Sequence, residues 1–373
     1  MHAKLKLLGA EVSYYTAKVR SYLRYKGIPF VEVAATREVY REVIVPRTGV
    51  RFIPVLIAAD DVAVQDSRAI IDYLEERYPE PGIVPAGTTQ RLVSLLFELY
   101  ADEWLLLPAM HYRWNVPENR SFAIAEFGRL SLPDASTTEQ LAAGEKLSVP
   151  FAGALPRLGV HPTTVPEIER SYLSFLGDFD EHLKRHPRVL GARPCIADFA
   201  LYGPLYAHLY RDPASGRLLV ERAPNVARWV ESFGVAGSSE GEFLTDDTVP
   251  PSLEPLLARL FDEFGPVLVS TLEHLTAFEP TSADGALPRA IGTHSFRLGR
   301  TTAERAIFPF NAWRWQRVHD YHRSLSGPAR ESADALLERV GGRTLFEKPL
   351  ARRLARVDNR LRFASCDDVA HPR

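Results

Sequence analysis

Cysteine is almost absent: two residues, Cys195 and Cys366, stand far apart in a chain of 373. That spacing excludes a disulfide framework and a cysteine-based metal site, and it suits a reducing compartment. Long apolar runs are missing too. None approaches the roughly 20 residues that a membrane helix needs, and no basic-then-apolar leader precedes the first apolar segment. We therefore expect a chain that is neither anchored nor exported, with a cytoplasmic location. Neither sign of charge dominates. A formal net charge of −2 and a pI near 6.6 argue against nucleic acid or an anionic membrane as partner, because a near-neutral field favours neither surface. The arginines near the C-terminus (Arg343, Arg352, Arg353, Arg356, Arg360, Arg362) are interspersed with acids and read as a solvated helix face. No internal repeat or low-complexity tract is found.

What the chain does contain is globular composition, 46% hydrophobic and 25% charged, over a length that accommodates two or three domains. The most informative stretch is Ser13-Tyr14-Tyr15-Thr16-Ala17-Lys18-Val19-Arg20. It lies between a short apolar strand (Leu5, Leu7, Leu8) and a helical stripe (Val19, Tyr22, Leu23, Tyr25), so a hydroxyl is placed at a helix N-terminus, where an anion is favoured. Downstream, Phe52-Ile53-Pro54-Val55-Leu56 puts a proline into a β-like run, at an edge or as a cis peptide. Then Gln65-Asp66-Ser67-Arg68-Ala69-Ile70-Ile71 is a polar cap opening a helix whose Ile70, Ile71 and Leu74 share one face.

The spacing predicts β-α-β-α-β-β-α over residues 1–85, with a strand from Lys4, helices from Thr16 to Lys26 and Ser67 to Arg77, and a boundary at Tyr78-Pro79-Glu80-Pro81-Gly82. Residues 90–234 read as all-helical, loosened into short helices and loops between Asn115 and Pro166 by six prolines. Residues 235–373, after the Gly237-Ser238-Ser239-Glu240-Gly241 linker, read as a mainly helical extension of unknown role. Within it we expect a helix over 250–277, a short strand at Thr293–Leu298, a Trp-rich helix from Thr302 to about Ser324, and another from Ala329 to Val340.

Taken together, the hydroxyl turn, the strand proline and the acidic-Ser helix start resemble the thioredoxin-like N-terminal domain of the glutathione transferase superfamily, in its Ser-type, theta-like form. Cys195-Ile196-Ala197-Asp198 resembles that superfamily's helix start in the all-helical second domain, with Cys where Ser or Thr is usual and Asp198 in a structural capping role. About two thirds of the chain is covered. The resemblance implies an α/β thioredoxin-like domain plus an all-α domain, with glutathione as co-substrate and a small electrophilic acceptor.

It also implies roles residue by residue. Ser13 stabilises the glutathione thiolate, with Tyr14 or Tyr15 as alternatives because Tyr14 stands where the family has Pro. Ile53 and Pro54 align the cysteinyl part. Asp66 and Ser67 hold the γ-glutamyl end, Asp66 toward its ammonium and Ser67 toward its carboxylate. Trp104, His111 and Trp114 are candidates for an acceptor pocket between domains, against the ordinary reading of aromatic packing. Without a cysteine in the active turn, thiol-disulfide exchange is not expected. A homodimer is expected from the family, and no metal: His319-x-x-His322 lacks a third ligand. The rivals are a non-catalytic interaction or scaffold protein on the same fold, and a glutathione-dependent isomerase or dehalogenase.

Overall fold

The computed structural model describes residues 5–233 and 241–365. Lys4, Cys366 and the 234/235 boundary with most of its linker lie outside the described residues. The N-terminal part is a four-stranded sheet of order β2-β1-β3-β4, with β1 (Leu5–Gly9) parallel to β2 (Phe30–Ala34) and antiparallel to β3 (Val55–Ile57), which pairs antiparallel with β4 (Ala63–Gln65). Helices α1 (Tyr14–Tyr25) and α2 (Ser67–Arg77) cover one face, sharing Leu7, Leu56, Val19, Leu23, Ile70 and Leu74 in one core. A helical stretch over residues 37–48 covers the other, where Leu8, Ile44, Val55 and Ile57 form a smaller core. This is the thioredoxin-like arrangement expected from the sequence.

A helical part follows, beginning with α3 (Thr88–Leu99), which runs through a wider π-helical turn at Tyr100–Trp104. Between 115 and 166 the helices are longer than the prolines suggested: Pro117–Ser131 and Thr137–Ala152. Pro117 stands at the first helical position, where its missing N–H costs nothing, and Pro150 falls in the last turn. The two helices cross closely at Gly128 and Gly144, where an added Cβ would collide with the carbonyl oxygens of Gln140 and Ile124. At the second cap the carboxylate of Asp198 accepts from the amides of Cys195 (2.9 Å) and Val189 (3.0 Å) and from the Cys195 thiol (3.4 Å), so the thiol donates there.

The extension is mixed. Thr293–Leu298 is a strand as expected, but Thr301–Ala306, read as the start of a helix, pairs with it as a hairpin (β5 and β6) turning at Gly299 in the left-handed region. Thr302 and Glu304 face outward in β-like alternation, and the helix α4 (Pro309–Ser324) starts where Pro309 supplies a favourable first position. A second hairpin, β7 (Leu354–Val357) and β8 (Arg360–Phe363), turns at Asp358-Asn359, both at positive φ as a tight hairpin turn requires.

Far from being appended, the extension shares the main core. Trp315 of α4 is fully buried against Phe346, with ring centroids 4.7 Å apart. Tyr321 donates to the Thr88 carbonyl (2.9 Å) at the start of α3, and Asp247 accepts from the amides of Thr89 and Gln90 (2.8 Å each), capping that helix from 157 residues away. Trp315→Ala should cost about 3–5 kcal/mol through the cavity it leaves. Urea denaturation followed by both circular dichroism and tryptophan fluorescence should show one coincident transition at lower midpoint; a separate early transition would mean that the extension unfolds on its own.

Candidate functional site

Sheet register converges the three sequence motifs. Leu8 pairs with Val55, and Val55 with Gln65, so the turn after β1, the peptide before β3 and the segment after β4 all leave the same end of the sheet. Ser13, Ile53-Pro54 and Asp66-Ser67 are brought together there. Ser13 is the N-cap of α1, with extended backbone, and its Oγ accepts from the Thr16 amide at 3.3 Å. Acting there as an acceptor, the hydroxyl keeps an O–H that can donate, as stabilising an anion requires. Tyr14 and Tyr15 are committed elsewhere: the Tyr14 hydroxyl donates to the Ala101 carbonyl and the Tyr15 hydroxyl to that of Asp102 (2.8 Å). Burial pushes both phenols well up. The Ile53–Pro54 peptide is cis, with Pro54 buried.

At the third motif the structure adds a partner that the sequence did not announce. Asp66 caps α2, its Oδ1 accepting from the amides of Arg68 (2.9 Å) and Ala69 (3.2 Å). The same carboxylate accepts from Arg314 of α4, Nη2 lying 3.0 Å from Oδ1 and 2.8 Å from Oδ2. Burial alone would raise the Asp66 carboxyl, but the guanidiniums of Arg314 and Arg356 and the ammonium of Lys18 outweigh it and hold it below the usual carboxylate range. Arg356, at the end of the second hairpin, binds the Gln65 carbonyl (3.1 Å) and its side-chain amide. Arg317 pairs with Asp72 (2.7 Å), and Asn359 donates to the Thr48 carbonyl (2.9 Å). The extension thus roofs this end of the sheet. Beneath it the Ser67 hydroxyl, on a residue 1% exposed, has no hydrogen-bond partner among the described residues.

Under the same roof sits Glu103, whose Oε2 accepts from Asn311 of α4 (2.7 Å) and whose Oε1 is 3.9 Å from Arg314 Nε. Burial, opposed by Arg314 and reinforced by Asp102 and Asp66, pushes it up to about 7. Nothing local marks Glu103 or Arg314 as site residues: they stand 211 positions apart and meet only through the docking of α4.

Trp104, His111 and Trp114, expected on an acceptor-pocket wall, are instead packed in the helical core in separate contacts. Trp104 stacks on Phe264 and donates to Glu263 (2.8 Å); His111 binds Glu169 (3.1 Å); Trp114 packs against Phe127 and Phe151. The hollow beside Trp104, lined by Tyr100, Leu107, Ile168 and Glu263, has room for about 10 Å³, no more than a water. No metal-binding group of His, Cys, Asp or Glu is found among the described residues. Nor does any described helix have the length and apolarity to cross a membrane.

Residues 7–82 match the sequence family described as "Glutathione S-transferase, N-terminal domain". A probable glutathione S-transferase of rice (Oryza sativa subsp. japonica) is 25% identical over 267 residues, covering 68% of this chain and 92% of that protein. A zeta-class glutathione S-transferase of Euphorbia esula is 32% identical over 94 residues, 24% of this chain and 41% of that one. Among solved structures, the beta-etherase LigF of Sphingobium sp. strain SYK-6 is 17% identical, covering 63% of this chain and 96% of that one, with a TM-score of 0.45. Residues 7–82 are thus similar to the glutathione transferase N-terminal domain, and the relatives support a place for the chain in the glutathione transferase superfamily. The curated relatives support a glutathione transferase-like function.

Glu103 has a measurable signature. Its folded-state pKa lies above the ordinary 4.5, so the folded protein holds a proton that the unfolded chain has lost. The stability it contributes is full below about pH 4.5 and is lost as pH rises through about 7. The loss is at most about 3 kcal/mol. Urea unfolding at about pH 5 and about pH 8 should therefore show Glu103→Gln gaining on the wild type at the higher pH. Parallel pH dependences would show that Glu103 titrates like an exposed carboxyl.

Proposed function

We propose that the protein binds glutathione at this end of the sheet and activates its thiol for attack on an electrophilic small molecule. The observation that carries this reading is the convergence, by strand register, of a helix-capping serine, the Ile53-Pro54 segment before β3 and a buried serine at a second helix N-terminus whose hydroxyl has no hydrogen-bond partner among the described residues. Ser13, donating to sulfur at the positive end of α1, stabilises the thiolate over the thiol, whose proton passes to solvent. The sulfur lone pair then attacks the acceptor carbon, and any leaving group departs with its bonding electrons. Ile53 and Pro54 lie where an extended cysteinyl backbone would pair, and Ser67 supplies a donor to a carboxylate.

Conjugation, isomerisation and dehalogenation share these groups and differ only in the acceptor. A cytoplasmic, homodimeric protein divided at about residues 85–90 and 234–235 is part of this reading. The roof over the site favours one alternative, a glutathione transferase fold used as an interaction module, because α4 and the second hairpin already occupy the face that a ligand would meet.

Calorimetric titration with glutathione separates the two. Ser67→Ala should weaken saturable binding by about tenfold. Ser13→Ala should bind similarly but lose the ultraviolet absorbance of bound thiolate and lower turnover of an electrophilic test substrate by about 10²-fold. Absence of binding at millimolar glutathione would leave the interaction module.

A further inference from the structure

The geometry points to a γ-glutamyl subsite that carries its own cation: Arg314 takes the place on Asp66 that a ligand ammonium would need, so the subsite recognises a carboxylate through Ser67 and Arg314 and makes no use of an α-amino group. This rests on the glutathione-site reading above and specifies the ligand chemistry of one end of it.

A carboxylate offers about four acceptor positions. Three of the contacts fall on Asp66 Oδ1, from the amides of Arg68 and Ala69 and from Arg314 Nη2, and the same Nη2 lies 2.8 Å from Oδ2, so what is left of the carboxylate is a position on Oδ2 directly beside a guanidinium. Arg314 is fixed from other sides as well. Its guanidinium lies over the rings of Phe310 and Trp313, 5.1 Å from each centroid, and Glu103 stands 3.9 Å from Nε. Its side chain is 9% exposed, and the carboxylates of Asp66, Asp102, Glu103 and Glu98 outweigh the cost of burial and keep it protonated. An incoming ammonium would have to share Oδ2 with this like-charged group or displace it, although it is stacked and hydrogen-bonded in place.

For an anion the balance is reversed. Two buried donors beside Asp66 lack hydrogen-bond acceptors among the described residues: the Ser67 hydroxyl, next to Asp66 in the chain, and Arg314 Nε, on the guanidinium bound to it. Buried donors are rarely left unmade, and a carboxylate is the complementary acceptor for each of them. Glu103 is the acid nearest that nitrogen, and near pH 7 about half of it carries a proton, which weakens its repulsion of an anion.

The test compares glutathione with its desamino analogue, glutaryl-cysteinyl-glycine, which keeps the carboxylate and thiol and lacks the α-ammonium. By calorimetry the wild-type protein should bind the analogue within about threefold of glutathione, whereas a working Asp66–ammonium contact would favour glutathione by about tenfold or more. Arg314→Gln, which frees Asp66, should weaken the analogue and shift preference toward glutathione; Arg314→Lys, which restores a cation, should return it toward parity. A wild-type preference of tenfold or more for glutathione would overturn the inference while leaving the glutathione site standing. Failure of both ligands to bind the wild type and Arg314→Gln would remove the site reading and this inference with it. The wild-type comparison holds even if a variant does not fold.

Discussion

The arrangement of the molecule depends on a set of charges buried where its two principal parts meet. Lys18, fully enclosed on α1, reaches Glu98 (2.8 Å) and Asp102 (2.7 Å) at the end of α3, and Glu98 is shared with Arg68 of α2 (2.7 Å). Removing one member would strand the others in a low-dielectric interior, a cost of several kcal/mol, whereas the intact set fixes how the parts face each other. Arg113 repeats the device: it pairs with Asp212 and binds the carbonyls of Val12 and Ala207, tying the segment before Ser13 to the helical part. Because Tyr14 and Tyr15 are hydrogen-bonded to carbonyls of the same α3 extension, the turn that presents Ser13 takes its position from this interface rather than from the sheet alone.

Much of the first domain could be read from the chain because its signals are local. Apolar alternation in Leu5–Gly9, the stripe in α1, and capping residues at Ser13 and Asp66 each act within a few residues, so pattern and structure agree. The partner of Asp66 is of another kind. An ion pair spanning 248 positions leaves no periodicity, and Arg314 in Trp313-Arg314-Trp315 looks like any charged residue on an amphipathic helix. The aromatic cluster shows a related limit of reading from the chain. Trp104 and His111 carry polar atoms that suggest a ligand, yet Glu263 and Glu169 satisfy them inside the protein, and composition does not distinguish an internal partner from an external one. Thr301–Ala306 shows the limit of period-reading over short spans, where six residues fit either a helical turn or a strand until the turn at Gly299 decides.

The extension changes the character of the site more than its location. It adds Arg314, Arg356, Asn311 and the ring of Trp313 to a region that the N-terminal domain alone would leave acidic and open. Asp66 thereby becomes a strut between α2 and α4, and the neighbouring Ser67 hydroxyl becomes an enclosed donor. One helix and one hairpin of the extension, and the compact α/β unit, define one chemical environment.

That division of labour sets an order in time. A ribosome emits Asp66 and Lys18 long before Arg314, and at roughly 5–20 residues per second the interval is on the order of ten to fifty seconds. Throughout it, the nascent α/β unit displays the Asp66 carboxylate without the guanidinium that pairs with it. The finished packing is therefore reached only once Arg314 and the hairpin beyond it have been made, and exposure to aggregation, and to capture by chaperones, is greatest before that point.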